Sequence, residues 1–414
     1  MTALVSVLNT HAVALAADSA ITINRPGNRK VHNGGNKLFA LSKYHPVGIM
    51  YCGNCDFMDT PLEVIIKMYR DHIDRTDFDT VEDYRNDFIK YILDNDFFCS
   101  KERQNFWLTL EAFKFFNIIK NLAKKQTDAP LESDEFATEV AKQLQSVKDD
   151  KNKTCGSYAA IDGDYYHGAA KAACPKVFGD DSNKAIFASR QGLSTLFSDA
   201  FANFIRRGNS NIDHSELVFA GFGHSQILPA ASSVNIYFGY NKVLRYQNGL
   251  SIKLEGDYKA EILKAGQKDM MDTVTTGIHT HIENQLRDIL IHSLEPIIKD
   301  IPLHGIAENV RQKALIKVIA NFEKQLQTLK QNFTKPIVDS VSTLDKEDLA
   351  ILAESLISVT AINRRITYAE ESVGGPIDVA VISKSDGFIW IKRKHYFDGK
   401  LNPQFFSNYY NHEK

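Results

Sequence analysis

Leu4, Val5, Val7 and Leu8 lead to a polar Asn9-Thr10-His11 turn, and a second apolar run, His11-Ala-Val-Ala-Leu-Ala-Ala, closes on Asp18-Ser19. This near period-two pattern around a polar turn predicts a β-hairpin over 2–24. Pro26-Gly27-Asn28 and Asn33-Gly34-Gly35 are turn signals. They release the chain into a third strand, Lys37-Leu-Phe-Ala-Leu, and then a fourth, Val47-Gly-Ile-Met-Tyr-Cys52, which stops at Gly53-Asn54.

From Pro61 the period changes. Leu62, Ile65, Ile66 and Tyr69 fall on one helical face, and further amphipathic helices are predicted over 81–93, 106–123 and 135–147. The first of these is entered by Asp79-Thr80, good N-cap types. The aromatic cluster Phe106, Trp107, Phe113, Phe115 and Phe116 is expected in the core, and Glu111, Lys114 and Lys120 on solvated faces. Residues 148–186, rich in Asp and Gly, read as a linker or long loop. A helix over 193–206, a strand over 216–223 and its hairpin partner over 233–239 follow, then helical patterns over 276–294, 310–329 and 345–362.

With 414 residues, 43% of them hydrophobic, the chain is large enough for a substantial core. A net charge of −2 gives no electrostatic reason to expect nucleic acid as a partner. Five cysteines are an odd, sparse set unlike a disulfide framework, which points to a reducing cytoplasm. No Lys or Arg precedes Arg25, so the apolar start lacks the basic region of a secretory signal. No run approaches the ~18 apolar residues of a membrane span, so no membrane role is expected.

The candidate chemistry lies at the start. Thr2 follows Met1 directly, and a small second residue favours removal of the methionine. Thr2 would then carry a hydroxyl and a free α-amine, whose ordinary pKa of ~7.7–8.0 suits it to take the hydroxyl proton. Asp18 closes one predicted strand and Lys37 opens another, so strand pairing could bring both to Thr2. A lysine ammonium there would lower the pKa of hydroxyl and amine, and Asp18 would hold it charged and oriented.

Thr2, Ala17-Asp18-Ser19 and Asn36-Lys37-Leu38-Phe39 resemble the threonine, aspartate and lysine of the proteasome β-type and HslV-like N-terminal nucleophile hydrolases. The resemblance implies an α+β fold, a four-layer αββα sandwich with inserted helical segments. It divides the chain into 1–60, the N-terminal part of the sandwich; 61–190, an inserted helical region and linker; 191–280, the central part; 281–342, a second helical insertion; and 343–414, the last helix, strand and aromatic tail. It also implies an oxyanion donor in the backbone of Met50 or Tyr51, where the family usually has glycine. Ala265-Gly266-Gln267 stands where the family has a serine-glycine-serine run. Tyr368-Ala-Glu370-Glu371-Ser372-Val-Gly374-Gly375 resembles the closing motif, with Glu370 in place of the usual aspartate and the serine either Ser372 or replaced by Val373.

The activity implied is threonine-type hydrolysis of a peptide or small amide, without cofactor or metal, in a homo-oligomer. Whether an ATPase partner feeds it is not written in the sequence. Two rivals are a non-catalytic assembly protein and a small-molecule acylase on the same fold. Cys52-Gly-Asn-Cys55 has redox or metal spacing, but further ligands are lacking, and a strand-end cysteine followed by a turn cysteine is the plainer reading. His279 and His281, two apart on a helix, point away from each other.

Overall fold

The computed structural model describes residues 2–25, 28–150, 163–207, 213–300, 308–367 and 373–410. The strands are β1 (Ala3–Asn9), β2 (Val13–Ala17), β3 (Ile21–Arg25), β4 (Asn28–His32), β5 (Leu38–Ala40), β6 (Val47–Gly53), β7 (Asp56–Phe57), β8 (Thr60–Pro61), β9 (Ser215–Gly221), β10 (Ala230–Tyr240), β11 (Val243–Lys253), β12 (Ala260–Gly266), β13 (Asp378–Ser383) and β14 (Gly387–Lys392). The helices are α1 (Leu62–Ile73), α2 (Val81–Asp94), α3 (Lys101–Lys124), α4 (Asp134–Asp149), α5 (Gly163–Phe178), α6 (Asp181–Ala188), α7 (Leu193–Arg207), α8 (Asp269–Thr276), α9 (Thr280–Asp300), α10 (Glu308–Val341), α11 (Lys346–Ile366) and α12 (Pro403–Tyr410).

Two antiparallel five-stranded sheets organise this mixed α/β chain, one in the order β12-β1-β2-β13-β14 and the other β11-β10-β9-β6-β5. Every residue of β1 is buried, which explains why it reads as an almost unbroken apolar run. Its odd positions, Ala3, Val5 and Val7, share a core with Leu349, Ala353, Leu356 and Ile357 of α11. Leu4 and Leu8, pointing the other way, share a core with Met50, Val218 and Ala220 of the second sheet. A third and larger core joins Ile49, Phe219 and Val234 of the second sheet to helices α1 to α7.

Local chemistry accounts for the helix starts. Thr80 Oγ1 accepts the Asp83 N–H at 3.2 Å while Asp83 Oδ2 accepts the Thr80 N–H at 3.0 Å, a capping box that opens α2. Ser100 and Ser133 cap α3 and α4 through their hydroxyls.

Three expectations are corrected. The stretch expected to be a loop contains α5 and α6 among its described residues, because Tyr166, Ala169, Ala170, Ala173, Cys174 and Val177 form a buried stripe of mostly small residues. Glu111 is buried, not solvated, and pairs with Lys114 at 3.3 Å. Phe106 is exposed, because α3 turns that position outward while Phe115 and Phe116 carry the packing.

Candidate active site

The antiparallel topology gathers several strand ends on one rim. Thr2 stands immediately before β1, and Asp18 immediately after β2, whose Ala17 pairs with Leu4. Lys37 stands immediately before β5 in the other sheet. Gly374 lies just before β13, which pairs Asp378 with Ala17.

Lys37 Nζ donates to Thr2 Oγ1 at 2.7 Å and to Asp18 Oδ1 at 2.9 Å, and also to the Ala20 carbonyl. The three side chains are buried, with Thr2 6% exposed, Asp18 1% and Lys37 0%. The carboxylate is held from several sides: Ala3 N–H donates to Oδ1 at 3.0 Å, and Ala20 and Gly374 N–H donate to Oδ2 at 3.1 and 3.2 Å. Burial pushes the Lys37 ammonium below the ordinary lysine value, with the Asp18 carboxylate opposing that shift.

The main chain around Thr2 is also held. Gln267 N–H donates to the Thr2 carbonyl at 2.7 Å. Gly266 pairs with Ala3 and has φ +71°, and a Cβ on it would fall 2.1 Å from the Thr2 oxygen. The segment that lacks the expected serines therefore reaches Thr2 through its backbone.

The two amides expected to bind an oxyanion are used otherwise. Tyr51 N–H donates to the Lys37 carbonyl at 3.1 Å. Successive amides of an antiparallel strand alternate in direction, so Met50 N–H turns to the opposite side, toward its β9 partner Val218. Gly53, two residues beyond Tyr51, directs its N–H to the Lys37 side past the last β5 pair, Leu38 with Met50. It is exposed and has φ +85°.

Glu370 and Ser372 lie outside the described residues. What the closing segment does bring to the site is backbone: Gly374 N–H on Asp18, and the Gly374 carbonyl, which accepts the Ser19 N–H at 3.1 Å.

Cys52 and Cys55 are both free thiols. Burial pushes each above the ordinary cysteine value, and Glu216 adds to the effect at Cys52, so neither is poised as a thiolate. Among the described residues no group of three or more His, Cys, Asp or Glu could hold a metal ion. No described helix is long and apolar enough to cross a membrane.

No family model matches the chain, and no curated protein matches it. Solved structures similar to it include a Gly-1 mutant of Anbu from Hyphomicrobium sp. strain MC1, at 9% identity and TM-score 0.31, covering 100% of this chain and 99% of that one. Another is Anbu, described as an ancestral beta-subunit, from Yersinia bercovieri, at 9% identity and TM-score 0.29, covering 98% of this chain and 94% of that one. The resemblance to proteasome β-type subunits and HslV is corrected by these findings: no family model supports it, and the similar structures just described are Anbu proteins.

Proposed function

We propose that this chain is an amide hydrolase whose nucleophile is Thr2, made N-terminal by cleavage of the bond that precedes it. The observation that carries the reading is the Lys37 ammonium, held 2.7 Å from Thr2 Oγ1 and 2.9 Å from Asp18 Oδ1 with all three groups buried. A buried cation against a hydroxyl favours the oxyanion form of that hydroxyl, and Asp18 keeps the cation aimed.

In this reading Thr2 Oγ1 attacks the amide carbonyl carbon while the freed α-amine takes its proton. The tetrahedral oxyanion is met by the Gly53 N–H. The amine returns the proton to the leaving nitrogen, the C–N bond breaks, and an ester remains on Thr2. Water, deprotonated by the same amine, then cleaves the ester and restores the hydroxyl. The fold assigned with this chemistry is a four-layer αββα sandwich, supported by one apolar core between the two sheets and a separate helix-covered core on each outer face.

Intact mass spectrometry with a β-lactone or epoxyketone probe tests the reading. Wild type should lose Met1 and gain one adduct, and Thr2→Ala should gain none. A chain that retains the residue ahead of Thr2, or labels equally as Thr2→Ala, would reject it. A panel of peptides and small acyl amides then distinguishes the substrate classes, and light scattering reads whether the active form is a homo-oligomer.

A further inference from the structure

Between the two sheets lies a layer of apolar side chains, Leu4, Leu8, Val13 and Leu15 from one and Met50, Val218 and Ala220 from the other. Such contact is non-directional. At the rim that carries Thr2, polar contacts cross the gap as well: Lys37 bonds to Thr2, Asp18 and Ala20, and Glu216 adds another. Glu216 lies in β9 opposite Cys52, in the second sheet. Its Oε2 accepts the backbone N–H of Gly266, in β12 of the first sheet, at 3.4 Å, and Cys52 Sγ donates to the same oxygen at 3.4 Å.

Gly266 matters because of what it touches. Its left-handed backbone lies against the Thr2 carbonyl, and the next residue, Gln267, donates its N–H to that carbonyl at 2.7 Å. Lys37, which meets the Thr2 hydroxyl, belongs to the strand-end set of the second sheet, as Glu216 does. The hydroxyl and the main chain of Thr2 are therefore gripped from different sheets, and the Glu216 contact with Gly266 links the two grips.

We propose that Glu216 is a positioning residue for the nucleophile: it ties the Gly266-Gln267 turn to the second sheet and so holds the Thr2 main chain in register with Lys37. The proposal rests on the reading of Thr2 as nucleophile. The role needs an acceptor oxygen at the Gly266 amide, which a glutamine supplies as well as a glutamate.

The experiment compares wild type, Glu216→Gln and Glu216→Ala. It follows the rate of Thr2 labelling by the β-lactone probe, kcat and KM on a chromogenic amide, and hydrogen exchange of the peptide spanning 260–268. Circular dichroism confirms that each variant folds. Glu216→Ala should lose about 10- to 100-fold in labelling rate and kcat with KM unchanged, the size expected of a nucleophile displaced by a fraction of an ångström to an ångström. Its 260–268 peptide should exchange faster, and Glu216→Gln should restore both. Labelling of Glu216→Ala at the wild-type rate, a fall in Glu216→Gln as deep as in Glu216→Ala, or unchanged exchange would each overturn the proposal. A wild type that takes no label would instead reject Thr2 as nucleophile, while the exchange comparison still reports on the tether itself.

Discussion

Gly374 donates its backbone N–H to Asp18 Oδ2 at 3.2 Å, joining residues 356 positions apart in the chain. With the Ala3 and Ala20 amides and the Lys37 ammonium, it fills the acceptor positions of a buried carboxylate. Asp18→Asn would turn an amide NH2 toward groups that are all donors, and would leave the buried Lys37 charge without its ion pair. Breaking one side of a buried pair in this way costs about 3–5 kcal/mol, so the variant should unfold at markedly lower urea concentration. A loss below about 1 kcal/mol, the size of an ordinary point substitution, would contradict the arrangement.

Lys37 sets the pH behaviour. Its folded pKa lies below the ordinary 10.5, so just under 10.5 the unfolded chain binds more protons than the folded one. The contribution of Lys37 to stability therefore rises with pH through that interval, and burial of its charge opposes folding at neutral pH. Activity should follow a bell, with an acid limb from the α-amine, held below its ordinary ~7.7–8.0 by the Lys37 ammonium, and an alkaline limb below 10.5 from Lys37. A profile of kcat/KM that stays flat as far as 10.5 would show that no such group acts. Lys37→Ala should reduce kcat by about 10²- to 10³-fold, the size of a lost preorganised electrostatic stabiliser.

Gly53 gives a sharper test of the oxyanion assignment. Its φ of +85° disfavours any side chain, and a Cβ would meet the His214 carbonyl at 2.3 Å. Gly53→Ala should cost about 1–3 kcal/mol in backbone strain, and should also lower kcat by about 10²-fold or more as the amide is displaced from the oxyanion. If stability falls and kcat in the folded fraction does not, Gly53 is a turn residue without a catalytic role.

Away from the site, the capping box that opens α2 predicts a modest and separable effect. Thr80→Ala removes the acceptor of the Asp83 N–H and should cost about 1 kcal/mol in thermal or chemical denaturation without altering activity. Thr80→Ser should recover most of it. A neutral Thr80→Ala would mean that α2 is set by packing of Val81, Tyr84 and Phe88 alone.

The strands that deliver Thr2, Asp18 and Lys37 were legible because their apolar runs are short and bounded by turn signals, and helix α1 because Leu62, Ile65, Ile66 and Tyr69 share one face. Helix α5 was not legible: its buried stripe is largely alanine, which barely contrasts with its flanks, and Pro175 reads as a breaker. The engagement of the Tyr51 amide by the Lys37 carbonyl, where the resemblance implied an oxyanion donor at Met50 or Tyr51, was hidden for a different reason. Residue spacing along a strand says nothing about which way each amide points, and only the pairing of Tyr51 with the Lys37 carbonyl fixes that alternation. The backbone grips on Asp18 and Thr2 by Gly374 and Gln267 were invisible for a similar reason, since a main-chain donor leaves no mark on residue type.

Strand β1 precedes the other described strands in the chain and stands second in its sheet, between β12 and β2. Its neighbour β12 is synthesised some two hundred and fifty residues later by position, and the Gly374 amide later still. Until those segments arrive the nascent chain holds a threonine with no fixed surroundings, and closing such distant contacts is slow. On the reading of Thr2 as nucleophile, synthesis order would act as a safety catch, keeping the hydroxyl idle until the chain through Gly374 has been made.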